Sequence, residues 1–289
     1  MNELQKITKE IKSKAHEMGF GDVGIASVEQ LRNLPHGWVA DVKDLKYPWE
    51  LLPGARSVIM LVLHAWDKSF FMQIESPHWK GYGIHKPEEN IEGHYITYKI
   101  SEAKAWPIVQ LLKDKGYEAM ITASIPMKST ALSCGLGTRG KNTLMIHPIL
   151  GPRIGLMAIV TNAELEAGAA LAKDLCGDCE RCVKACPTGA LSPKGVEINR
   201  CIAYASENPS GKSVPPDVRS KVDIYTVRPS KCSYLECTIC MDACPIGKDV
   251  EKILLLNKNQ NTRDYTGMRG RIREYGMRAL KHMRSSRSL

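Results

Sequence analysis

The chain has 289 residues, 43% of them apolar and 25% charged, and a net charge of +9. This is ordinary globular composition, with length for one large domain or two modest ones. The longest strongly apolar run, Val58–Leu63, is far too short to cross a bilayer, and MNELQKITKEIKSKAHEMGF has no signal-peptide core. A cytoplasmic location without membrane contact is expected.

Ten cysteines in such a chain point to metal or redox chemistry rather than a disulfide framework. The positive charge reads either as a solubility feature or as preference for an acidic partner, such as nucleic acid or an acidic electron donor. Much of it sits in the tail, where Arg263, Arg269, Arg271, Arg273, Arg278, Lys281, Arg284 and Arg287 face only Asp264 and Glu274.

In chain order, Leu4, Ile7, Ile11, Ala15 and Met18 recur at helical spacing, and Gly19 is placed to stop that helix. Asp22–Ala26 reads as a short buried strand, and Ser57–His64 as a strand covered on both faces. Residues 67–94 mix Phe70, Phe71, Trp79 and Tyr82 with His, Pro and Gly, a long loop suited to a lid. Tyr95–Lys115 reads as one or two helices, interrupted or begun near Pro107 and ended by Gly116. Tyr117–Ile121 suggests a strand and Ser129–Ser133 a helix. Lys141–Ile146 and Ile154–Thr161 suggest strands around a Gly151-Pro152 turn. From Cys176 to Cys244 the texture changes to short pieces punctuated by Cys, Pro and Gly. A polar helix from Val250 leads into the basic tail.

The strongest chemical signal is CGDCERCVKACP, with Cys176, Cys179, Cys182 and Cys186 followed by Pro187. C-x2-C-x2-C-x3-C-P is the bacterial ferredoxin spacing for a [4Fe–4S] cluster. Two-residue gaps let a tight loop wrap a cubane, and its backbone N–H groups can donate to the cluster sulfurs. The three-residue gap starts a helix that turns the fourth Cys toward a neighbouring cluster. A second run, CTICMDACP, supplies Cys237, Cys240 and Cys244, and CVKACPTGA is echoed by CMDACPIGK. With crossed ligation the first cluster takes Cys176, Cys179, Cys182 and Cys244. The second takes Cys186, Cys237, Cys240 and one of Cys201 and Cys232. Paired C-x2-C knuckles also build zinc sites, but those do not need a triple run ending in Cys-Pro. Cys134 stands apart and reads as a small buried hydrophobe.

CGLGTRGKNTL contains G-x-G-x-x-G at Gly135, Gly137 and Gly140. A dinucleotide fingerprint follows a strand and opens a helix. Here a helical segment precedes and LMIHPI follows, and about twenty residues on lies Val160, with Glu164 the nearest acid. Two readings remain: a tight helix-to-strand turn, or a close approach of backbone to a large flat cofactor.

GLGTRGKNTLMIHPILGPRIGLMAIVTNAEL, followed by the first Cys run, resembles epoxyqueuosine reductase and, more distantly, the reductive dehalogenases. KAHEMGFGDVGIA, LLPGARSVIMLVL, CPTGAL, CIAYASE and ECTICMDACP extend the likeness over roughly residues 10–250. The resemblance implies an α/β (α+β) fold: a nitroreductase-like sandwich over 1–170, a ferredoxin-like two-cluster module over 171–250, and a basic helical tail over 251–289. It implies cobalamin or a related corrinoid over the core, beside Gly135, Gly137 and Gly140, with Lys141 and Asn142 as polar contacts. It also implies Cys201 as the eighth cluster ligand. The segment that carries the family's acidic proton donor is ITASIPMKSTALSC in this chain, without Asp or Glu. Tyr95, Tyr98, Lys128 and His147 are the remaining candidate donors. The sequence ends soon after the module, short of the family's helical-repeat tRNA-binding extension, so tRNA is kept only as a doubtful partner.

The expected function is an iron–sulfur oxidoreductase. Electrons from an external low-potential donor would pass one at a time through two [4Fe–4S] clusters to a corrinoid that reduces a substrate. Two alternatives keep the clusters: an electron-transfer protein that reduces a partner's corrinoid or other cofactor, and a reductase that binds FMN on the same fold.

Overall fold

A computed structural model describes residues 2–34, 45–64, 93–207, 213–226 and 237–248, with only the backbone of 93–100 and 103. The lid stretch 67–92, Cys232, the tail from 249 onward, and the side chains of Tyr95 and Tyr98 lie outside the described residues.

Helix α1, Glu3–Glu17, opens on a capping box between Asn2 and Gln5 and buries Ile7, Ile11 and Ala15 on one face. Gly19, at φ +81°, takes the left-handed conformation that lets the chain leave the helix. Strand β1, Asp22–Ser27, follows, then the short helices α2, Val28–Leu31, and α3, Pro48–Leu51. Strand β2, Ser57–His64, is buried throughout. Helix α4, Gly93–Asp114, leads to β3, Ala119–Thr122, and α5, Met127–Ser133. A small hairpin, β4 (Thr138–Arg139) with β5 (Met145–Ile146), precedes the long strand β6, Ile154–Thr161.

The main sheet is antiparallel throughout, in the order β1-β2-β6-β3. Ser57 pairs with Thr161 and His64 with Ile154, so β2 and β6 form its centre. The alternation of strand side chains divides the core in two. Ile59, Leu61, Met157 and Ile159 pack with Ile7 and Ile11 of α1 and with Ile108 and Leu112 of α4. Val58, Met60, Ala158 and Val160 pack on the other face with Leu31, Ile125, Ala131, Leu136 and Met145. The chain is thus a mixed α/β protein whose central strands are covered on both faces.

One alternative is decided and two local expectations change. Pro107 lies inside a single helix. Ala105, Ile108, Val109 and Leu112 around it are all buried, and that burial offsets the lost hydrogen bond. The expected strand Lys141–Ile146 shrinks to Met145–Ile146. Gly140 N–H donates to Leu144 O, Asn142 Oδ1 accepts from Leu144 N–H, and Thr143 sits at φ 62°, so residues 140–144 form the hairpin turn. Residues 117–118 still close α4, since Tyr117 N–H donates to Leu112 O, and the strand begins at Ala119.

After β6 come α6 (Arg181–Ala185), the hairpin β7 (Leu191–Ser192) with β8 (Gly195–Val196), a 3-10 turn at Ile198–Arg200, and α7 (Ile202–Glu207). Helices α8 (Pro216–Arg219), α9 (Val222–Tyr225) and α10 (Ile239–Asp242) follow. Ile202, Ala205, Val214 and Val218 form a small separate core under α7 to α9. Among the described residues no helix is long and apolar enough to cross a membrane.

Candidate iron–sulfur centre

The two echoed motifs fold alike: α6 leads to Cys186-Pro187, α10 leads to Cys244-Pro245, and the two helices pack on each other. This crossing brings together cysteines that are far apart in sequence. Burial raises the Cys182 thiol, and neighbouring Cys176 and Cys179 raise it further. Burial also raises Cys244, the Ile246 N–H and Arg153 pull it down, and Cys176 and Cys179 push it up. Cys240 is raised by burial and then by Cys201, Cys237, Cys182 and Cys186. Cys244 and Cys240 therefore each lie in the field of cysteines from another segment.

Cys186 behaves differently. Burial acts to raise its thiol, but the Thr188 hydroxyl and the N–H groups of Thr188, Ala190 and Leu191 outweigh it and lower the thiol. The Thr188 hydroxyl donates to Arg200 O at 2.6 Å, and Arg200 Nε returns a bond to Thr188 O at 2.9 Å. That reciprocal pair ties the Cys186 loop to the residue before Cys201.

Among the described residues no three His, Cys, Asp or Glu side chains converge closely enough to hold a single metal ion. A cubane spreads its four thiolates over four irons, and its negative charge suits loops rich in inward N–H groups. The donor set, all sulfur with N–H groups around Cys186, fits such clusters.

The core grips this module at two places. Lys141 Nζ donates to Gly177 O at 2.8 Å, and Leu175 N–H donates to Thr138 Oγ1 at 3.3 Å. Both bonds hold the loop that carries Cys176. The second grip lies at Gly151, where a Cβ would strike Ile246 O, and at Gly247, where one would strike Leu150 O. Arg153 adds bonds to Met241 O at 2.7 Å and Ile246 O at 3.3 Å. Sequence reasoning singled out neither Thr138 nor Arg153; for Arg153 the available signal was a lone basic residue directly before an apolar strand.

The glycine stretch packs on protein. A Cβ at Gly135 would meet Ala169 O, one at Gly137 would meet Ile146 O, and one at Gly140 would meet the Asn142 and Ile146 side chains. Lys141 is committed to Gly177, and Asn142 Oδ1 to the hairpin turn. The close approach is therefore to neighbouring backbone and side chains.

Of the candidate proton donors, His147 and Lys128 have described side chains. His147 is 3% exposed, and its Nδ1 accepts from the N–H groups of Ile149 and Leu150 at 3.2 and 3.1 Å. Its hydrogen is therefore on Nε2, which meets Asp22 Oδ2 at 2.9 Å. Lys128 lies half-buried at the start of α5.

Residues 175–247 match the 4Fe-4S double cluster binding domain. An α/β core joined to such a module is the build of an iron–sulfur oxidoreductase. Over most of its length the chain is similar to epoxyqueuosine reductases: it is 27% identical over 259 residues to that of Leadbetterella byssophila, covering 84% of this chain and 80% of the relative. The solved epoxyqueuosine reductase of Bacillus subtilis superposes with a TM-score of 0.61 at 21% identity, covering 84% of this chain. This chain spans 66% of that structure's length. An epoxyqueuosine reductase solved with an epoxyqueuosine-modified tRNA-Tyr stem loop gives 0.59 at 20% identity, covering 84% of this chain and 66% of that one.

Proposed function

We propose that this chain is an iron–sulfur reductase of the epoxyqueuosine reductase type. One cluster is held by Cys176, Cys179, Cys182 and Cys244, and the other by Cys186, Cys201, Cys237 and Cys240. The observation that supports this reading is the packing of α6 on α10, which puts Cys244 in the field of Cys176 and Cys179, and Cys240 in the field of Cys201, Cys237, Cys182 and Cys186. When bound, the clusters supply one-electron transfer at low potential. The protein's part is to fix the loops: Lys141 and Thr138 on one side, Gly151 and Arg153 on the other. Both grips act on loops of the first quartet, so that cluster faces the core. Cys237 of the second quartet packs against the small core under α7 to α9, and the external donor is assigned to this quartet because the other faces the core.

The division into a core over 1–170, a module over 171–250 and a basic tail belongs to this proposal. A corrinoid as the final acceptor is supported by the resemblance, and the glycine stretch adds nothing to it. The solved relative with a tRNA-Tyr stem loop, together with the +9 charge, supports a tRNA-borne substrate.

Anaerobic production with cobalamin supplied tests these points together. Two clusters, extractable corrinoid and turnover of epoxyqueuosine in tRNA are expected. Extraction of FMN in place of corrinoid, or turnover of none but a small free substrate, would contradict the finer reading.

A further inference from the structure

Arg153 is 11% exposed, yet its two hydrogen bonds go to neutral carbonyls, Met241 O and Ile246 O. The Asp242 carboxylate stands at 3.9 Å, is 59% exposed, and accepts instead from Thr238 Oγ1 at 2.7 Å. A nearly buried cation whose ion pair among the described residues is this long is costly. The carbonyls it grips bracket Cys244. A cubane with four thiolate ligands carries net negative charge, one unit more when reduced.

We infer that Arg153 is a positioning residue and counter-cation for the core-facing cluster, setting its potential as well as the place of Cys244. The inference rests on the ligand assignment proposed above. A fixed positive charge favours the reduced cluster, so it makes it easier for that cluster to take up a single electron from the donor. The partner cluster, on the far quartet, is affected less.

The test is an EPR-monitored redox titration of anaerobically purified holoprotein. In Arg153→Met one of the two cluster signals should move to more negative potential while the other stays. Arg153→Lys keeps the charge and should hold the potential near wild type. Asp242→Asn removes a partly opposing charge and should move the same signal the other way. Full iron content with an unmoved signal in Arg153→Met would overturn the inference, as would a shift in Arg153→Lys equal to that in Arg153→Met. If Arg153→Met loses its cluster, the Lys and Asn variants decide: an unmoved potential in Asp242→Asn would then overturn it. Wild-type protein holding fewer than two clusters would instead refute the ligand assignment.

Discussion

Lys141 Nζ donates to the carbonyl of Gly177 at 2.8 Å, across 36 positions of sequence. A residue of the core hairpin thus holds the loop between the first two cluster cysteines. Lys141→Met should leave the core sheet folded but loosen that loop. Its cluster absorbance should bleach several-fold faster under a chelator than that of wild type. Equal bleaching rates would deny the clamp.

Gly151 and Gly54 separate strain from collision. Both have positive φ, but a Cβ at Gly54 meets nothing within 4 Å, whereas one at Gly151 strikes Ile246 O. Gly54→Ala should cost about 1 kcal/mol, the conformational part alone. Gly151→Ala should cost about 3 kcal/mol or more and release the loop bearing Cys244. Denaturant unfolding of the two variants, with iron content measured alongside, checks the contrast.

Much of the core was legible because its signals are local. Ser57–His64 and Ile154–Thr161 were read with the observed bounds, since continuous apolar runs bounded by turn residues leave little choice. The cysteine spacing likewise pointed to two [4Fe–4S] clusters, in keeping with the double cluster binding domain matched over residues 175–247. The role of CGLGTRGKNTL was not legible. The stretch predicts close approach, but what approaches comes from elsewhere in the chain: Ala169 at Gly135 and the Leu175–Gly177 loop at Thr138 and Lys141. Arg153 was hidden for the same reason, because its partners lie 88 and 93 residues away.

Asp22 carries a pH dependence. Burial works to raise its carboxyl, but the bond from His147 and the Val23 N–H leave it below its ordinary 3.8. A lowered folded value means stability that is fully present above 3.8 and is lost as pH falls through the folded value. The stability difference between wild type and Asp22→Asn should therefore shrink as pH is lowered from roughly 6 to 3. A difference that stays constant would show that the carboxylate charge contributes nothing.

Cys134 should be chemically inert in the folded protein. Burial pushes its thiol up to about 12, and its Sγ lies against Ala131 O at 3.4 Å. Native alkylation near neutral pH, read by mass spectrometry, should leave Cys134 unmodified until denaturant is added. Rapid native labelling would contradict its burial.

Cys201 and Cys232 make opposite predictions. Cys201 follows the Arg200 carbonyl that Thr188 grips, and it acts on Cys240. Cys201→Ser should therefore abolish or alter one cluster signal in EPR, and Cys232→Ser should change neither iron content nor spectrum. The reverse result would move the eighth ligand to Cys232.

The most direct measurement is iron and acid-labile sulfide per chain in anaerobically purified protein, with EPR after reduction. The two-quartet account predicts about eight of each and two interacting reduced signals, characteristic of two [4Fe–4S] clusters. Four irons with a single signal, or zinc in place of iron, after full anaerobic reconstitution would contradict it.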